Sequence, residues 1–173
     1  GNGDRINRAA DSIAEARAKG HEVAVIASAM GSTTDDLLEE IRFEADLRDQ
    51  AEIVSMGERT SVRMLKAALS ARDIEAKFIE PGSDEWPIIT NDLGEVDADA
   101  TRDRARRLAE DLDEVVPVIT GFLAQNHVGE ITTLGRGGSD TTAVMLGKYM
   151  DADEVVIVTD VEGVMTGDPR VVE

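Results

Sequence analysis

The sequence predicts an α/β fold in which helices cover a mostly parallel sheet. Short apolar runs alternate along the chain with longer amphipathic segments, which is the order of strands and crossover helices in such folds. Residues 23–27 are apolar without a break, as in a strand buried on both faces of a parallel sheet. Small residues follow several of these runs, at the sheet edge where parallel folds bind ligands.

The helices are predicted from apolar residues that recur every three or four positions. Gly20 is expected to end the first helix, and Gly57 to interrupt the third. The predicted helices are residues 5–19, 35–46, 51–72, 98–112 and 143–150.

The strands are predicted from the short apolar runs that separate these helices. Residues 125–130 are typical of a hairpin loop, so residues 131–134 should pair back onto the sheet. Pro87 favours an edge position for the strand-like segment 86–89. The remaining predicted strands are residues 23–27, 76–79, 115–120 and 155–158.

The composition indicates a single domain that is able to bury a substantial core. The chain has 173 residues, of which 42% are hydrophobic. No apolar run approaches the roughly 20 residues that span a bilayer, and no secretory leader is visible, so we expect a cytoplasmic protein. The lack of cysteine excludes disulfides and thiolate metal sites, and the scattered His21 and His127 do not suggest a zinc site.

The chain is strongly acidic, with 36 Asp and Glu against 18 Lys and Arg and a net charge of −18. Such a field repels nucleic acid and anionic membranes, so neither is an expected partner. The acidic residues are dispersed and lysines are few, which resembles the surfaces that keep halophilic proteins soluble in concentrated salt. We therefore expect a halophilic source, with a halophilic archaeon as the candidate. The alternative is an ordinary acidic cytoplasmic protein.

The glycine-rich turn at residues 132–143 is the most informative segment of the chain. It reads Thr-Thr-Leu-Gly-Arg-Gly-Gly-Ser-Asp-Thr-Thr-Ala and leads into a predicted helix. Glycines let a ligand approach the backbone, and free N–H groups at a helix start attract anions. Arg136 can bind a carboxylate through two parallel hydrogen bonds, while Asp140 either caps the helix or positions a cation. The turn therefore predicts a site for small anionic groups.

Three other places along the chain carry polar groups suited to ligand binding. Thr159 and Asp160 would follow a strand, where they can contact a nucleotide, and Arg170 can reach a phosphate. Glu58 either receives an ammonium group or is an ordinary exposed helix residue. Thr34 lies in the loop after the first strand, where it either binds a ligand or caps the next helix.

Taken together, these segments resemble the aspartate kinases of the amino-acid kinase family. They occur in the family's order and extend over nearly the whole chain. The block Leu-Gly-Arg-Gly-Gly-Ser-Asp at residues 134–140 is the one that distinguishes aspartate kinases from other amino-acid kinases. The resemblance implies a three-layer α/β/α sandwich. The segments that carry it are residues 28–30, 55–59, 120–122, 132–142 and 159–170, together with Thr34.

The resemblance also implies which residues bind the ligands. Glu58 would pair with the ammonium group of L-aspartate, and Arg136 with one of its carboxylates. Asp140 would orient the family's catalytic lysine, so Arg136 and Asp140 are the catalytic candidates. Met165 stands where the family commonly has tyrosine, and it can pack on adenine without donating a hydrogen bond. The implied aspartate pocket comprises Thr34, Glu58, Phe122, Arg136, Ser139 and Asp140, and the implied ATP site comprises Thr159, Asp160, Met165, Asp168 and Arg170.

The reaction implied by the resemblance transfers the γ-phosphate of Mg-ATP to the β-carboxylate of L-aspartate. It is the first step of lysine, threonine and methionine biosynthesis. A carboxylate nucleophile is already ionised at neutral pH, so no general base is required. Catalysis would depend on in-line positioning and on neutralising the phosphate charge with Mg²⁺ and cationic groups.

The resemblance covers only part of an aspartate kinase. The family begins with a Lys-Phe-Gly-Gly-Thr-Ser segment whose lysine contacts the transferring phosphate, and the first residues here resemble the part just after it. The family's regulatory ACT domains would follow residue 173. We therefore expect residues 1–173 to be one partial catalytic domain that turns over poorly or not at all on its own. A homodimer is common in the family.

The sequence leaves three alternatives open. The nearest is another amino-acid kinase, such as a glutamate 5-kinase or a uridylate kinase, although Glu58 and Arg136 favour aspartate. A different class is a non-catalytic module that binds a nucleotide or an amino acid. The third is an inert segment that folds only together with further strands.

Overall fold

The computed structural model describes residues 2–135 and 137–158. In this part of the chain the helices are α1 (Asn2–Ala18), α2 (Thr33–Glu40), α3 (Leu47–Ser70), α4 (Ala98–Ala109) and α5 (Gly138–Tyr149). The strands are β1 (Val25–Ala27), β2 (Ala76–Ile79), β3 (Ile89–Thr90), β4 (Val116–Thr120), β5 (Leu123–Asn126) and β6 (Ile131–Thr133). None of these described helices combines the length and the apolar character needed to cross a bilayer.

A parallel sheet in the order β1-β4-β2 lies between two layers of helices. Every residue of the central strand β4 is buried, and its side chains alternate between the two sides of the sheet. Val116 and Val118 pack with α1 and α3, whereas Ile119 packs with α4 and α5. This arrangement is the three-layer α/β/α sandwich that the resemblance implied, and the predicted fold class is confirmed.

A second sheet has the order β3-β5-β6, and its β5–β6 pair is antiparallel. The predicted hairpin is therefore confirmed. Its loop, residues 126–130, and the turn at residues 91–95 both read Asn-x-x-Gly-Glu. In each turn the asparagine Oδ1 accepts the backbone N–H groups two and four residues later, at 2.9–3.1 Å. The side chains of Asn91 and Asn126 thus hold two copies of one turn, which lie side by side because β3 and β5 are paired.

The helix α3 corrects two predictions. It runs without a break from Leu47 to Ser70, so the interruption expected at Gly57 is wrong. The glycine is there because the loop after β1 lies directly against the helix. The helix predicted over residues 35–46 ends at Glu40. Asp46, the last residue of that prediction, instead caps α3 by accepting from the N–H groups of Arg48 and Asp49.

Two of the predicted strands also need correction. Residues 23–27 were expected to be buried on both faces, but β1 is only half-buried because it lies at one edge of the described sheet. Residues 155–158 pair with no described strand, and their side chains remain exposed. A strand needs a neighbour to satisfy its backbone, so an apolar run alone does not make one. Trp86 and Ile88 are fully buried, and pairing begins only at Ile89.

Candidate functional site

A cavity of about 560 Å³ lies where three chain turns meet α3. The turns are the β1–α2 loop, the β4–β5 turn and the glycine-rich segment before α5. Five of the predicted pocket residues lie on its wall: Thr34, Glu58, Phe122, Ser139 and Asp140. These residues come from four separate parts of the chain, and the fold brings them to one place. Their roles toward a ligand remain predictions.

Glu58 is the most unusual side chain in the cavity wall. It is only 3% exposed, so its role as an ordinary exposed helix residue is excluded. Its Oε1 accepts from the backbone N–H of Ala29 at 3.3 Å, whereas its Oε2 is buried without a hydrogen-bond partner. Burial raises the pKa of Glu58, and backbone hydrogen bonds offset part of that rise. The carboxylate therefore has one buried oxygen that no described protein group satisfies.

The β4–β5 turn is strained and tightly packed. Phe122 has a φ of 66°, which is rare for a residue with a side chain, and the Leu123 N–H donates to the Gly121 carbonyl at 2.7 Å, closing a γ-turn. A Cβ on Gly121 would lie 2.6 Å from the Ser139 Oγ. The turn thus rests directly against the start of α5, and only glycine permits that approach. Strain of this kind is often found at functional sites.

The start of α5 lies at the cavity, where the Gly138 N–H donates to the Gly135 carbonyl at 3.0 Å. Its N-cap is Gly137 in the left-handed conformation, at a φ of 68°, and no side chain caps the helix. The expectation that Asp140 caps this helix is therefore wrong, because Asp140 lies one turn inside it. The first N–H groups of an uncapped helix can bind an anion. The site for small anionic groups stays a prediction, because Arg136 lies outside the described residues.

The β1–α2 loop resolves the alternatives for Thr34. The residue at the N-cap of α2 is Ser32, and Thr34 lies inside the helix. The Thr33 hydroxyl donates to the Met30 carbonyl at 2.6 Å, which holds the loop in its turn. Thr34 is therefore not the cap, and it lies on the cavity wall.

Three further residues line the cavity, Ser28, Asp35 and Thr133. Ser28 and Thr133 lie at strand ends and within the segments 28–30 and 132–142 that carry the resemblance, so sequence reasoning missed only Asp35. Asp35 carries no such signal, because an acidic residue in the first turn of a helix is expected for stability alone. With Glu58 and Asp140 it gives the cavity three carboxylates, while none of the described wall residues is a lysine or an arginine.

Six predicted site residues lie outside the described residues. They are Arg136, Thr159, Asp160, Met165, Asp168 and Arg170. The parts of the chain that are described contain no group of three or more His, Cys, Asp or Glu side chains arranged to hold a metal ion. The described part of the site thus consists of the predicted amino-acid pocket without the predicted arginine.

Residues 1–173 match the family model described as the amino acid kinase family, and the chain belongs to that family. Aspartokinases are among its similar relatives. The Thermus thermophilus aspartokinase is 41% identical over 98% of this chain and 42% of its own length. The Corynebacterium glutamicum aspartokinase is 38% identical over 98% of this chain and 41% of its own. The chain thus spans about two-fifths of the length of these curated relatives.

Solved aspartate kinase structures are also similar to this chain. The Synechocystis aspartate kinase superposes with a TM-score of 0.77 at 33% identity, covering 98% of this chain and 28% of that one. Escherichia coli aspartokinase III in complex with aspartate and ADP gives a TM-score of 0.68 at 35% identity, covering 80% of this chain and 31% of that one. The fold inferred from the sequence therefore agrees with known structures of the family.

Proposed function

We propose that this chain forms the amino-acid pocket and part of the nucleotide site of an aspartate kinase. The reaction is transfer of the γ-phosphate of Mg-ATP to the β-carboxylate of L-aspartate. The observation that carries this proposal is the buried Glu58 carboxylate, whose Oε2 has no partner in the cavity wall. The likeness to an aspartokinase solved with aspartate and ADP supports it.

Glu58 is proposed to bind the ammonium group of the substrate. A buried carboxylate without a partner is costly, and a cation that supplies the missing hydrogen bond removes that cost. A group without a hydrogen-bond donor at the same place would leave Oε2 unpaired, and a neutral donor would not balance its charge. The pocket is therefore expected to prefer an amino acid over a dicarboxylate of the same shape that lacks the ammonium group.

The opposite side of the cavity is proposed to hold the substrate's carboxylates. Arg136 would bind one of them, and the first N–H groups of α5 lie next to it in the chain. Ser139, Thr34 and Phe122 would fix the orientation of the bound molecule. Orientation matters because the β-carboxylate must attack in line with the leaving group, and it needs no base to ionise it.

Mg-ATP would supply the phosphoryl group and a cation that neutralises its charge. We propose that Thr159, Asp160, Met165, Asp168 and Arg170 contribute the nucleotide site, and that Asp140 orients a lysine at the phosphate. Mg²⁺ bound with a nucleotide needs only one or two carboxylates besides the phosphates. The lack of a larger acidic cluster among the described residues is compatible with such an ion.

A calorimetric ligand panel tests the amino-acid specificity. L-Aspartate is expected to bind more tightly than L-glutamate, UMP or succinate, which has both carboxylates of aspartate but no ammonium group. Tighter binding of L-glutamate or UMP would indicate a glutamate 5-kinase or a uridylate kinase instead. Equal affinity for succinate and aspartate would contradict the role of Glu58.

An ADP-release assay tests the catalytic part of the proposal. We propose that residues 1–173 form a partial catalytic domain, so that they bind aspartate but turn over ATP poorly. The longer protein that contains them is expected to release ADP at a rate that depends on aspartate. Full aspartate-dependent turnover by residues 1–173 would contradict the partial-domain proposal, and a longer protein without such turnover would contradict the kinase assignment.

Four broader proposals follow from the same resemblance and from the charge. The protein is proposed to act in the cytoplasm, at the entry to lysine, threonine and methionine synthesis. It is proposed to form a homodimer, which light scattering of the purified protein would test. Its dispersed net charge of −18 leads us to propose a halophilic source.

A further inference from the structure

Gly57 lies in the middle of α3, where a glycine needs an explanation. Glycine destabilises the interior of a helix relative to alanine because it loses more backbone freedom on folding. Gly57 is buried, and α3 continues for thirteen residues beyond it without a kink or a break. The residue is therefore not there to end or bend the helix.

The loop after β1 explains why the position has no side chain. A Cβ built on Gly57 would lie 2.8 Å from the Cβ of Ala29, and 3.5 and 3.7 Å from side-chain atoms of Thr33 and Thr34. The Ala29 Cβ is attached directly to the backbone and cannot rotate away. Any side chain at residue 57 would therefore push the whole loop away from the helix.

The same contact sets the geometry of the cavity. The Ala29 N–H donates to the Oε1 of Glu58, the residue that follows Gly57. Thr34, on the other side of the contact, lies on the cavity wall with Glu58. Loop and helix must lie at this close distance for Glu58 to be buried with one oxygen held and the other free.

We infer that Gly57 is a positioning residue of the amino-acid pocket. It seats the β1–α2 loop on α3, and this fixes the Glu58 carboxylate for its ligand. The inference rests on the proposed function for the identity of that ligand. Its structural part, the contact between Gly57 and Ala29, can be tested without any ligand.

The experiment compares three variants with the unmodified chain. Gly57→Ala introduces the clash with the Ala29 Cβ. The double variant Gly57→Ala with Ala29→Gly relieves the clash by removing the Cβ of residue 29, and it keeps the N–H of that residue. Gly3→Ala is the matched control, since Gly3 is an exposed helical glycine with open space where a Cβ would stand. The readouts are the Glu58 pKa and the Ala29 amide shift by NMR, and the affinities for L-aspartate and succinate by calorimetry.

In Gly57→Ala we expect the lifted loop to admit water to Glu58. The pKa of Glu58 should then fall toward its ordinary value, and the amide of Ala29 should no longer respond when Glu58 titrates. The affinity for L-aspartate should drop about tenfold or more, because a displaced Glu58 carboxylate loses its hydrogen bond to the ammonium group. Succinate should be affected less, and the double variant should recover most of the affinity. Gly3→Ala should match the unmodified chain.

Two results would overturn the inference. One is a folded Gly57→Ala variant with an unchanged Ala29–Glu58 coupling and unchanged aspartate affinity. The other is a double variant that recovers neither the aspartate affinity nor the Ala29–Glu58 coupling relative to Gly57→Ala. This result includes the case in which neither variant folds. If only the double variant folds, the contact is supported. If the unmodified chain does not bind aspartate, the proposed function fails, while the NMR readouts still decide the role of Gly57.

Discussion

Replacing Glu58 by glutamine should weaken aspartate binding and at the same time remove a pH-dependent cost in stability. Glutamine keeps the size of the side chain and an oxygen that can accept from the Ala29 N–H, so the backbone contact at 3.3 Å is retained. What disappears is the negative charge. A hydrogen bond to a charged group contributes about 1.5–3 kcal/mol, which corresponds to roughly a 10- to 150-fold increase in the aspartate Kd.

The direction of the change in unfolding free energy follows from the raised pKa of Glu58. A buried acid with a raised pKa binds more protons in the folded state than in the unfolded state, so ionising it lowers the free energy of unfolding. This loss begins as the pH rises through the ordinary value for glutamate, about 4.3, and is complete above the raised pKa. Each pH unit of that window contributes about 1.4 kcal/mol. The neutral glutamine avoids the loss.

The assay combines calorimetry at pH 7 with urea unfolding at several pH values between 4 and 8. The difference in unfolding free energy between Glu58→Gln and the unmodified chain should move in favour of glutamine as the pH rises, and then level off. Glu52→Gln is the matched control, since Glu52 is an exposed carboxylate on the same helix. This control should change neither the aspartate Kd nor the pH dependence of the unfolding free energy appreciably.

This role of Glu58 would be contradicted by a Glu58→Gln variant that binds aspartate as tightly as the unmodified chain. A second adverse result would be a stability difference that stayed constant over the whole pH range. The first result would remove the ammonium-binding role, and the second would remove the effect of burial on the carboxylate. A loss of aspartate binding that equals the loss of succinate binding would point to general damage to the pocket.

Three further predictions concern the rest of the fold. Asn126→Ala should lower the unfolding free energy by about 1–2 kcal/mol in urea titrations, because two backbone N–H groups lose their acceptor. Asn91→Ala should lower it by a similar amount for the same reason. If neither variant changed the unfolding free energy, the role of the two asparagine turns would be refuted. Trp86→Phe should lower the unfolding free energy by about 1–3 kcal/mol, since Trp86 is fully buried and its Nε1 donates to the Ile88 carbonyl at 2.8 Å. An unchanged urea midpoint would contradict this prediction. The Tm should rise steadily from 0.1 to about 1 M KCl as the Debye length falls from about 10 to about 3 Å, whereas a flat response would favour an ordinary acidic protein.

Regular elements were predicted well where local pattern and local geometry agree. The β5–β6 hairpin followed from a glycine-containing loop between two apolar runs, and it is present with Gly129 at a φ of 91°. The helix α4 begins at Ala98, as its periodicity predicts. The site prediction came from motifs, and the five described members of the proposed aspartate pocket do line one cavity.

Predictions that depended on distant neighbours were less successful. A glycine in a helical pattern is compatible with a break, a kink or a close contact, and only the position of Ala29 shows that Gly57 serves a contact. An apolar run such as residues 155–158 becomes a strand only beside another strand, and its own residues carry no information about that neighbour.

Periodicity and turn residues were enough to establish the order of helices and strands, because both depend on residues that are close together in the chain. They also singled out the glycine-rich turn before α5, which lies on the cavity wall. The burial of Glu58 was decided only in three dimensions, since it depends on a loop that lies 29 residues earlier in the chain. The same is true of the free Oε2, because a carboxylate lacks a partner only when packing has excluded water and supplied no donor.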